Sequence, residues 1–398
     1  MKVRKITESV IYVGVNDRTT TRFEALWPLP YGVSYNSYVV RGSRATAVID
    51  SVEGNEFRSL IDNFCDLGEF CSPDFLVVNH TEPDHSGSIP LLLDRFPGLS
   101  LVCNKISAEQ VKGFYHVPDE RIFVVKDGDT LDLGGRTLRF VTTPMVHWPE
   151  TMMTYLEEER VLFSGDAFGC FGALNGRFTD REMSSAELEV YFSEMNRYYS
   201  CIVGKYGKFV QAAMKKAGSL PIDYICSTHG PVWIDEKKRV LDVYDRLSRY
   251  EAEGGTVIVF ATMYGNTAEL VDRIADALAG RGMENIRIFN AATAEMCDMI
   301  TEAFLSKTLI VGSPTYSMDV FPPVQQFMNA MRVREIKNKV TATFGSFTWA
   351  SAAGASLEKQ FEAMGLPPVA QLSMKHAYSD GLEPAIAEFA EKVAAASK

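Results

Sequence analysis

The stretch VVNHTEPDHSGS, residues 77–88, places two histidines and two carboxylates within six positions, directly after a short apolar run. An apolar run that ends in Ser and Gly is typical of a buried strand followed by a loop. His80, Glu82, Asp84 and His85 could bind a metal, form an acid/base pair, or serve only as turn-favouring polar residues. The other histidines of the chain decide among these possibilities.

Three more donors follow β-like runs: His147 in TTPMVHWPE, Asp166 in LFSGDAFG and His229 in CSTHGPVW, in a chain with only six histidines. Seven nitrogen and oxygen donors are more than one titrating pair requires. Imidazole and carboxylate without thiolate suit iron, manganese or zinc in a two-metal site, with Asp166 as a natural bridge. For any single residue the alternative of a turn-forming side chain stays open.

The bulk properties exclude several functions. A length of 398 residues predicts two or three domains. The charge, 40 Lys+Arg against 51 Asp+Glu, and the lack of a basic block argue against nucleic acid. No stretch has the ~18 apolar residues of a membrane span, and MKVRKITESV lacks a signal-peptide core, so we expect a cytoplasmic protein without a membrane partner. Seven cysteines without a C-x-x-C pair favour buried, reduced thiols.

Two domains are predicted, 1–252 and 253–398. The first is rich in short strands and ends in a connecting helix, 235–252, with Asp235 as its N-cap and Gly254-Gly255 as its stop. In the second, TVIVFAT, ENIRIFNA, KTLIVGS, VTATFGS and PVAQLSM alternate with helical segments. This α/β rhythm predicts a doubly wound parallel sheet.

Three loops of the second domain predict a flavin site. The loop between the first strand and its helix resembles the phosphate loop of flavodoxins and offers backbone N–H groups to a phosphate, without a P-loop lysine. Two later loops follow strands and resemble those that flank the flavin ring, with Tyr316, Phe347 or Trp349 as candidate stacking partners. The predicted FMN-binding residues are Thr262, Met263, Tyr264, Gly265, Asn266, Thr267, Ser313, Pro314, Thr315, Tyr316, Gly345, Ser346, Phe347, Thr348 and Trp349.

HTEPDH, HWPETM, SGDAFG and HGPVW resemble the metal motifs of the flavodiiron proteins, in order and spacing. The resemblance implies an N-terminal metallo-β-lactamase-like αβ/βα domain followed by a flavodoxin-like domain. It implies one iron bound by His80, Glu82 and His147, a second bound by Asp84, His85 and His229, and Asp166 between them. The counterpart of His85 in some relatives turns away from the metal. Hydrolases of this fold usually carry histidine where this chain has Glu82, and the extra carboxylate favours iron over zinc.

The same resemblance implies that FMN feeds electrons to a non-haem di-iron site that reduces dioxygen to water, nitric oxide to nitrous oxide, or both. It further implies a separate electron donor, rubredoxin or reduced F420, and a head-to-tail homodimer. Two alternatives stay open. One is a zinc hydrolase fused to a flavodoxin, and the other is an electron carrier whose first domain holds a structural metal.

Several other residues have simpler interpretations. His116 and His376 match no ligand motif, and we expect both to be surface or capping residues. Trp148, Tyr198 and Tyr199 could wall off the metal site, although aromatic residues at helical spacing are more often core. A small basic cluster could dock an acidic donor, but a solvated turn is slightly favoured. The cluster consists of Arg332, Arg334, Lys337 and Lys339.

Overall fold

The computed structural model describes residues 4–67 and 72–398. The chain divides into two compact units, and it passes from the first to the second between Asp245 and Arg246. Each unit has its own sheets and core. The sequence had placed this division at residue 252, seven residues later.

The first unit is built on two sheets. A seven-stranded sheet has the order β1-β2-β7-β8-β9-β10-β11, and a five-stranded sheet has the order β12-β13-β14-β15-β16. Two small pairs, β3 with β6 and β4 with β5, complete the unit. The strands are β1 (Arg4–Lys5), β2 (Val10–Tyr12), β3 (Val15–Asp17), β4 (Arg22–Phe23), β5 (Trp27–Pro28), β6 (Val33–Tyr35), β7 (Tyr38–Arg41), β8 (Thr46–Ile49), β9 (Phe75–Val77), β10 (Ser100–Asn104), β11 (Ile122–Val125), β12 (Thr130–Asp132), β13 (Thr137–Thr142), β14 (Met152–Leu156), β15 (Val161–Gly165) and β16 (Tyr224–Ser227).

The helices of the first unit connect these strands, and the last one leads into the second unit. They are α1 (Phe57–Cys65), α2 (Pro83–Ser86), α3 (Ile89–Arg95), α4 (Lys105–Tyr115), α5 (Ser185–Tyr198), α6 (Gly207–Ala217) and α7 (Lys237–Ser248). A π-helical turn, Tyr199–Val203, continues α5. The segments that follow β9, β13, β15 and β16, including the short helix α2 after β9, carry the four metal motifs of the sequence.

Helix α7 is shorter than the predicted helix 235–252. The carboxylate of Asp180 accepts from the backbone N–H groups of Ile234, Asp235 and Glu236, so this residue holds the segment before the helix. The side chain of Asp235, the predicted N-cap, pairs instead with Arg181 at 2.8 Å. The segment before α7 is therefore held by Asp180, a residue far away in the sequence that local spacing could not reveal.

The second unit is one doubly wound sheet, as the sequence predicted. Its parallel strands have the order β18-β17-β19-β21-β22, and β20 pairs antiparallel with β19. Its core includes Ile258, Ile310 and Phe344 from the sheet. The elements are β17 (Thr256–Phe260), α8 (Asn266–Ala279), β18 (Ile286–Asn290), α9 (Met296–Leu305), β19 (Thr308–Tyr316), β20 (Asp319–Val320), α10 (Pro322–Val333), β21 (Val340–Phe347), α11 (Ala353–Ala363), β22 (Ala370–Lys375) and α12 (Glu383–Ala396).

The basic cluster of the sequence does not form a single solvated group. Lys339 is buried, and its ammonium donates to the carbonyls of Phe304 and Ser306 at the end of α9, at 2.6 and 2.7 Å. Arg332 and Lys337 are exposed. The interpretation of Lys339 as a docking or solvated residue is therefore wrong.

The cysteine prediction holds in part. Cys65 is exposed, whereas Cys103, Cys170, Cys201, Cys226 and Cys297 are buried, and all six are free thiols. Cys71 lies outside the described residues. Within the described ranges, no helix has both the length and the apolar character needed to cross a membrane.

Candidate functional site

The seven predicted metal donors meet in one largely buried centre of the first unit. They fall into two groups, and within each group the ligand atoms lie within 4.8 Å of one another. His80, Glu82, His147 and Asp166 form the first group, and Asp84, His85 and His229 form the second.

Asp166 lies between the two groups. Its Oδ2 is 3.3 Å from His80 Nε2 and 3.1 Å from His147 Nε2. Its Oδ1 is 2.9 Å from His85 Nε2 and 3.7 Å from His229 Nε2. One oxygen thus faces each group, which is the arrangement required of a carboxylate that bridges two ions. His85 turns its Nε2 toward the centre.

The inward-facing atoms of this centre fit a pair of metal ions. Both carboxylate oxygens of Asp84, Nε2 of His147 and Oδ2 of Asp166 are buried and have no hydrogen-bond partner. Buried polar atoms in folded proteins are almost always hydrogen-bonded, so orphaned atoms that converge on one point require another kind of partner. Imidazole and carboxylate donors without thiolate are suited to iron.

Partners behind the histidines set the orientation of their rings. His229 Nδ1 donates to the Ser34 carbonyl at 2.8 Å, and because a carbonyl only accepts, Nε2 is the nitrogen left to face the centre. His80 Nδ1 lies 3.0 Å from Glu150 Oε1, which also accepts from the Thr81 backbone N–H and hydroxyl. Such partners orient metal-binding histidines and raise their basicity.

The electrostatics of the centre favour positive charge. Burial opposes protonation of His85, but the carboxylates of Asp84 and Asp166 raise its pKa to about 9. Burial likewise opposes protonation of His147, while the nearby carboxylates of Asp166 and Glu82 raise its pKa to about 9. Despite burial, the surrounding imidazoles hold the pKa of Asp166 well below its ordinary value. The clustered carboxylates therefore create a field that attracts cations.

Aromatic side chains wall the centre. Trp148 meets His80 edge-on at 5.2 Å between ring centroids, and Phe23 meets His229 edge-on at 5.4 Å. The ring of Tyr198 lies 5.5 Å from His229, and its buried hydroxyl has no hydrogen-bond partner. Tyr199 packs against Tyr244 at 5.1 Å. Of the two tyrosines singled out in the sequence, Tyr198 is therefore the one beside the metal donors.

Two acidic residues near the centre were missed from the sequence. Glu150 follows HWP, but a single glutamate after a turn carries no recognisable signal. Glu24 lies in the hairpin between β4 and β5, where the Trp27 indole donates to its carboxylate at 3.0 Å. Burial and the nearby Glu82 carboxylate raise the pKa of Glu24. No local pattern links residue 24 to residue 82.

A second site, a cavity of about 300 Å³, lies at the carboxyl ends of the strands of the second unit. Most of the predicted flavin residues line it. They are Thr262, Met263, Tyr264, Asn266, Thr267, Pro314, Thr315, Ser346, Phe347, Thr348 and Trp349. The loop 262–267 leads into the N-terminus of α8, whose first N–H groups have no partner within the helix. These groups fit the phosphate of FMN.

Four predicted flavin residues do not line the cavity. Gly265 instead adopts a left-handed φ of 96° and donates its N–H to the Thr262 hydroxyl. The Ser313 hydroxyl donates to the Pro314 carbonyl and accepts from the Phe321 N–H. Tyr316 packs edge-on against Phe321. The remaining residue is Gly345, where close packing against Gly354 leaves little room for a side chain.

The cavity also has lining residues that the sequence did not reveal: Ser317, Met318, Ala350 and His376. The interpretation of His376 as a plain surface or capping residue is therefore incomplete. Its imidazole is exposed, but it is exposed at the cavity. His116 adopts a left-handed φ of 54° at the end of α4, as expected of a capping residue.

Comparison with known proteins relates both halves of the chain to known families. Residues 33–230 match the family model described as ODP family beta lactamase, and residues 258–389 match Flavodoxin. The chain is 33% identical over 348 residues to the anaerobic nitric oxide reductase flavorubredoxin of Escherichia coli O1:K1, which covers 86% of this chain and 72% of that protein. It is 25% identical to the flavodiiron protein of Giardia intestinalis, with a TM-score of 0.91 and coverage of 99% and 97% of the two chains. The chain belongs to the flavodiiron protein family.

A further flavodiiron fold match is the rubredoxin oxygen:oxidoreductase of Desulfovibrio gigas, with a TM-score of 0.94, 24% identity and coverage of 99% and 98%. The predicted metallo-β-lactamase-like and flavodoxin-like folds are confirmed. Flavodiiron proteins are oxidoreductases with FMN and two irons, which separates this chain from the hydrolases of the first alternative. Which side chains bind each cofactor remains a prediction.

Proposed function

We propose that this flavodiiron protein reduces dioxygen to water, nitric oxide to nitrous oxide, or both, at a di-iron centre that receives electrons from FMN. The observation that carries the proposal is Asp166, with one carboxylate oxygen toward each of two groups of imidazole and carboxylate donors, several of whose buried atoms lack a hydrogen-bond partner. A cavity that suits FMN in the same chain provides the electron source.

The ligand assignment we propose follows the two groups. His80, Glu82 and His147 would hold one iron, Asp84, His85 and His229 would hold the other, and Asp166 would bridge them. Bound iron supplies open positions for a small diatomic molecule and accepts electrons one at a time. The phosphate of FMN would lie at the loop 262–267, at the N-terminus of α8.

The surrounding residues of the chain position these ligands and shape the substrate side. Ser34 and Glu150 hold the rings of His229 and His80 by their Nδ1 atoms, so that both Nε2 atoms point inward. The Tyr198 hydroxyl is buried and unpartnered, its ring packs beside His229, and it would donate a hydrogen bond to a bound gas molecule. Trp148 and Phe23 pack edge-on against His80 and His229 and would limit the entry of water.

The electron donor and the assembly are proposed from the same family resemblance. Electrons would come from a separate donor, rubredoxin or reduced F420, and the substrate is a gas. A head-to-tail homodimer, in which the flavin of each chain serves the irons of its partner, is the assembly that we propose. A cytoplasmic location remains a prediction of the sequence.

Metal analysis and gas consumption test the function together. Protein expressed in iron-replete medium should contain about two irons per chain. Reduced with an artificial donor, it should consume dioxygen, nitric oxide or both in electrode assays, and the ratio of the two rates identifies the preferred substrate. One zinc per chain and no iron, with hydrolysis of a thioester or lactam and no gas consumption, would refute the proposal.

A further inference from the structure

His376 is distinguished by its charge among the residues that line the flavin cavity. The lining consists of Thr, Ser, Asn, Met, Pro, Ala and aromatic residues, with no Lys, Arg, Asp or Glu within the described part of the chain. The other titratable lining group is the Tyr264 phenol, which is neutral when protonated. Histidine is therefore the only lining side chain that can carry a positive charge.

Hydrogen bonds through the end of β21 link His376 to the first turn of α8. Thr267, in the first turn of α8, shares a hydrogen bond of 2.9 Å with Ser346. Phe347, the next residue of β21, accepts the backbone N–H of His376 at 2.8 Å. A short chain of contacts thus runs from the phosphate loop across the end of β21 to His376.

His376 lies in a left-handed turn that follows β22. Its φ is 66°, in the left-handed region that non-glycine residues other than Asn, Asp and His seldom adopt. The turn places an imidazole at the cavity directly after β22 ends at Lys375.

FMN carries an anionic phosphate, and its ring gains negative charge on reduction. The N-terminus of α8 offers only partial positive charge to the cofactor. We propose that His376 contacts bound FMN and supplies the positive charge that stabilises it, an inference that rests on FMN occupying this cavity. The contact would make His376 a cofactor-positioning residue of the flavodoxin-like unit.

Substitutions that separate charge from shape test the inference in the full-length chain. His376→Asn tolerates the left-handed backbone but stays neutral, and His376→Lys restores a positive charge. His116→Asn is the matched control, since His116 is also left-handed but caps α4 in the other unit. Each chain is stripped of flavin, and the dissociation constants of FMN and riboflavin are measured by flavin fluorescence, together with the midpoint potentials of rebound FMN.

We expect His376→Asn to weaken FMN binding about threefold to tenfold, or to lower the midpoint potentials, because a partly exposed charge contact is lost. His376→Lys should recover most of the loss, and His116→Asn should match the wild type. Unchanged riboflavin affinity would place the contact at the phosphate, whereas a parallel loss would place it at the ring. Unaltered FMN affinity and potentials in His376→Asn, or an equal loss in His376→Lys, would overturn the inference. Failure of the wild-type chain to bind FMN would count against the proposed function instead.

Discussion

Asp166 turns its two carboxylate oxygens toward different groups of donors. Replacing it with alanine removes a ligand from both proposed iron positions. We expect Asp166→Ala to lose both metals, measured by plasma mass spectrometry, while its flavin absorbance stays at the wild-type level. Asp127→Ala, at an exposed carboxylate that pairs with Lys216, should keep both metals. Loss of one ion only would show that Asp166 is not a bridge.

For single residues, the sequence predicted the metal donors but not the side chains and carbonyl groups that hold or surround them. The donors could be found because histidines are few and each follows an apolar run. Ser34, Glu24 and Glu150 could not be found, because each acts on a residue about 60 to 200 positions away, and only the folded chain brings them together. His376 was interpreted as a surface or capping residue because it matches no ligand motif.

At the level of the elements, the C-terminal end of helix α9 contacts the buried side chain of Lys339. Burial, together with the charge of Arg246, lowers the pKa of Lys339 to about 7, whereas an unfolded chain keeps the ordinary value of about 10.4. Between these values the unfolded state binds a proton that the folded state lacks. The free energy of unfolding of this unit should therefore rise from pH 7 to pH 10, by at most about 1.4 kcal/mol per pH unit, and Lys339 should add no pH dependence below pH 7.

Urea denaturation at several pH values, followed by circular dichroism, measures this slope. Lys339→Met should flatten it, because the titrating group is gone. Lys337→Met is the control, since Lys337 is an exposed neighbour beside the Tyr250 ring, and it should retain the wild-type slope. An identical slope in wild type and Lys339→Met would exclude Lys339 as its source.

The elements of the second unit were predicted more completely than those of the first. Every apolar run named in 253–398 is a strand, because the βαβ alternation repeats with short loops. In the first unit, MMTYL, which forms β14, was not identified as a strand, since it is buried at every position and shows no alternation. Its Thr154 is satisfied by Asn79, at 2.7 Å, a contact that no local pattern indicates.

For the whole molecule, the flavodoxin-like unit should fold alone, and its proper start can be tested. Residues 254–398 contain all three flavin loops, so this fragment should purify yellow with FMN. The fragment 246–398 should be more stable to urea, because it keeps the Arg246–Glu253 ion pair and the stacking of Tyr250 on Phe304 at 5.9 Å. A colourless but folded fragment would contradict the flavin assignment, and equal stability would favour the later boundary.

The proposed homodimer can be tested by complementation. One chain carries Asp166→Ala, and the other has a disrupted loop at 262–267, so each is inactive alone. In a purified mixed dimer, the flavin of the first chain would serve the irons of the second, and gas consumption should return. Mixed dimers that stay inactive, although each chain keeps its remaining cofactor, would show that electrons pass within one chain.

The bond from His229 to Ser34 spans 195 residues of sequence. Asn36 adds to this junction, since its amide donates to the carbonyls of Ser227 and Gly230. A ribosome that adds about 5 to 20 residues per second needs roughly 10 to 40 s to make the later partner after the earlier one. During that interval the early strands lack the segment that completes their unit, and they must stay free of aggregation. The seven donors can meet only after this interval, when the flavodoxin-like unit is still to be synthesised.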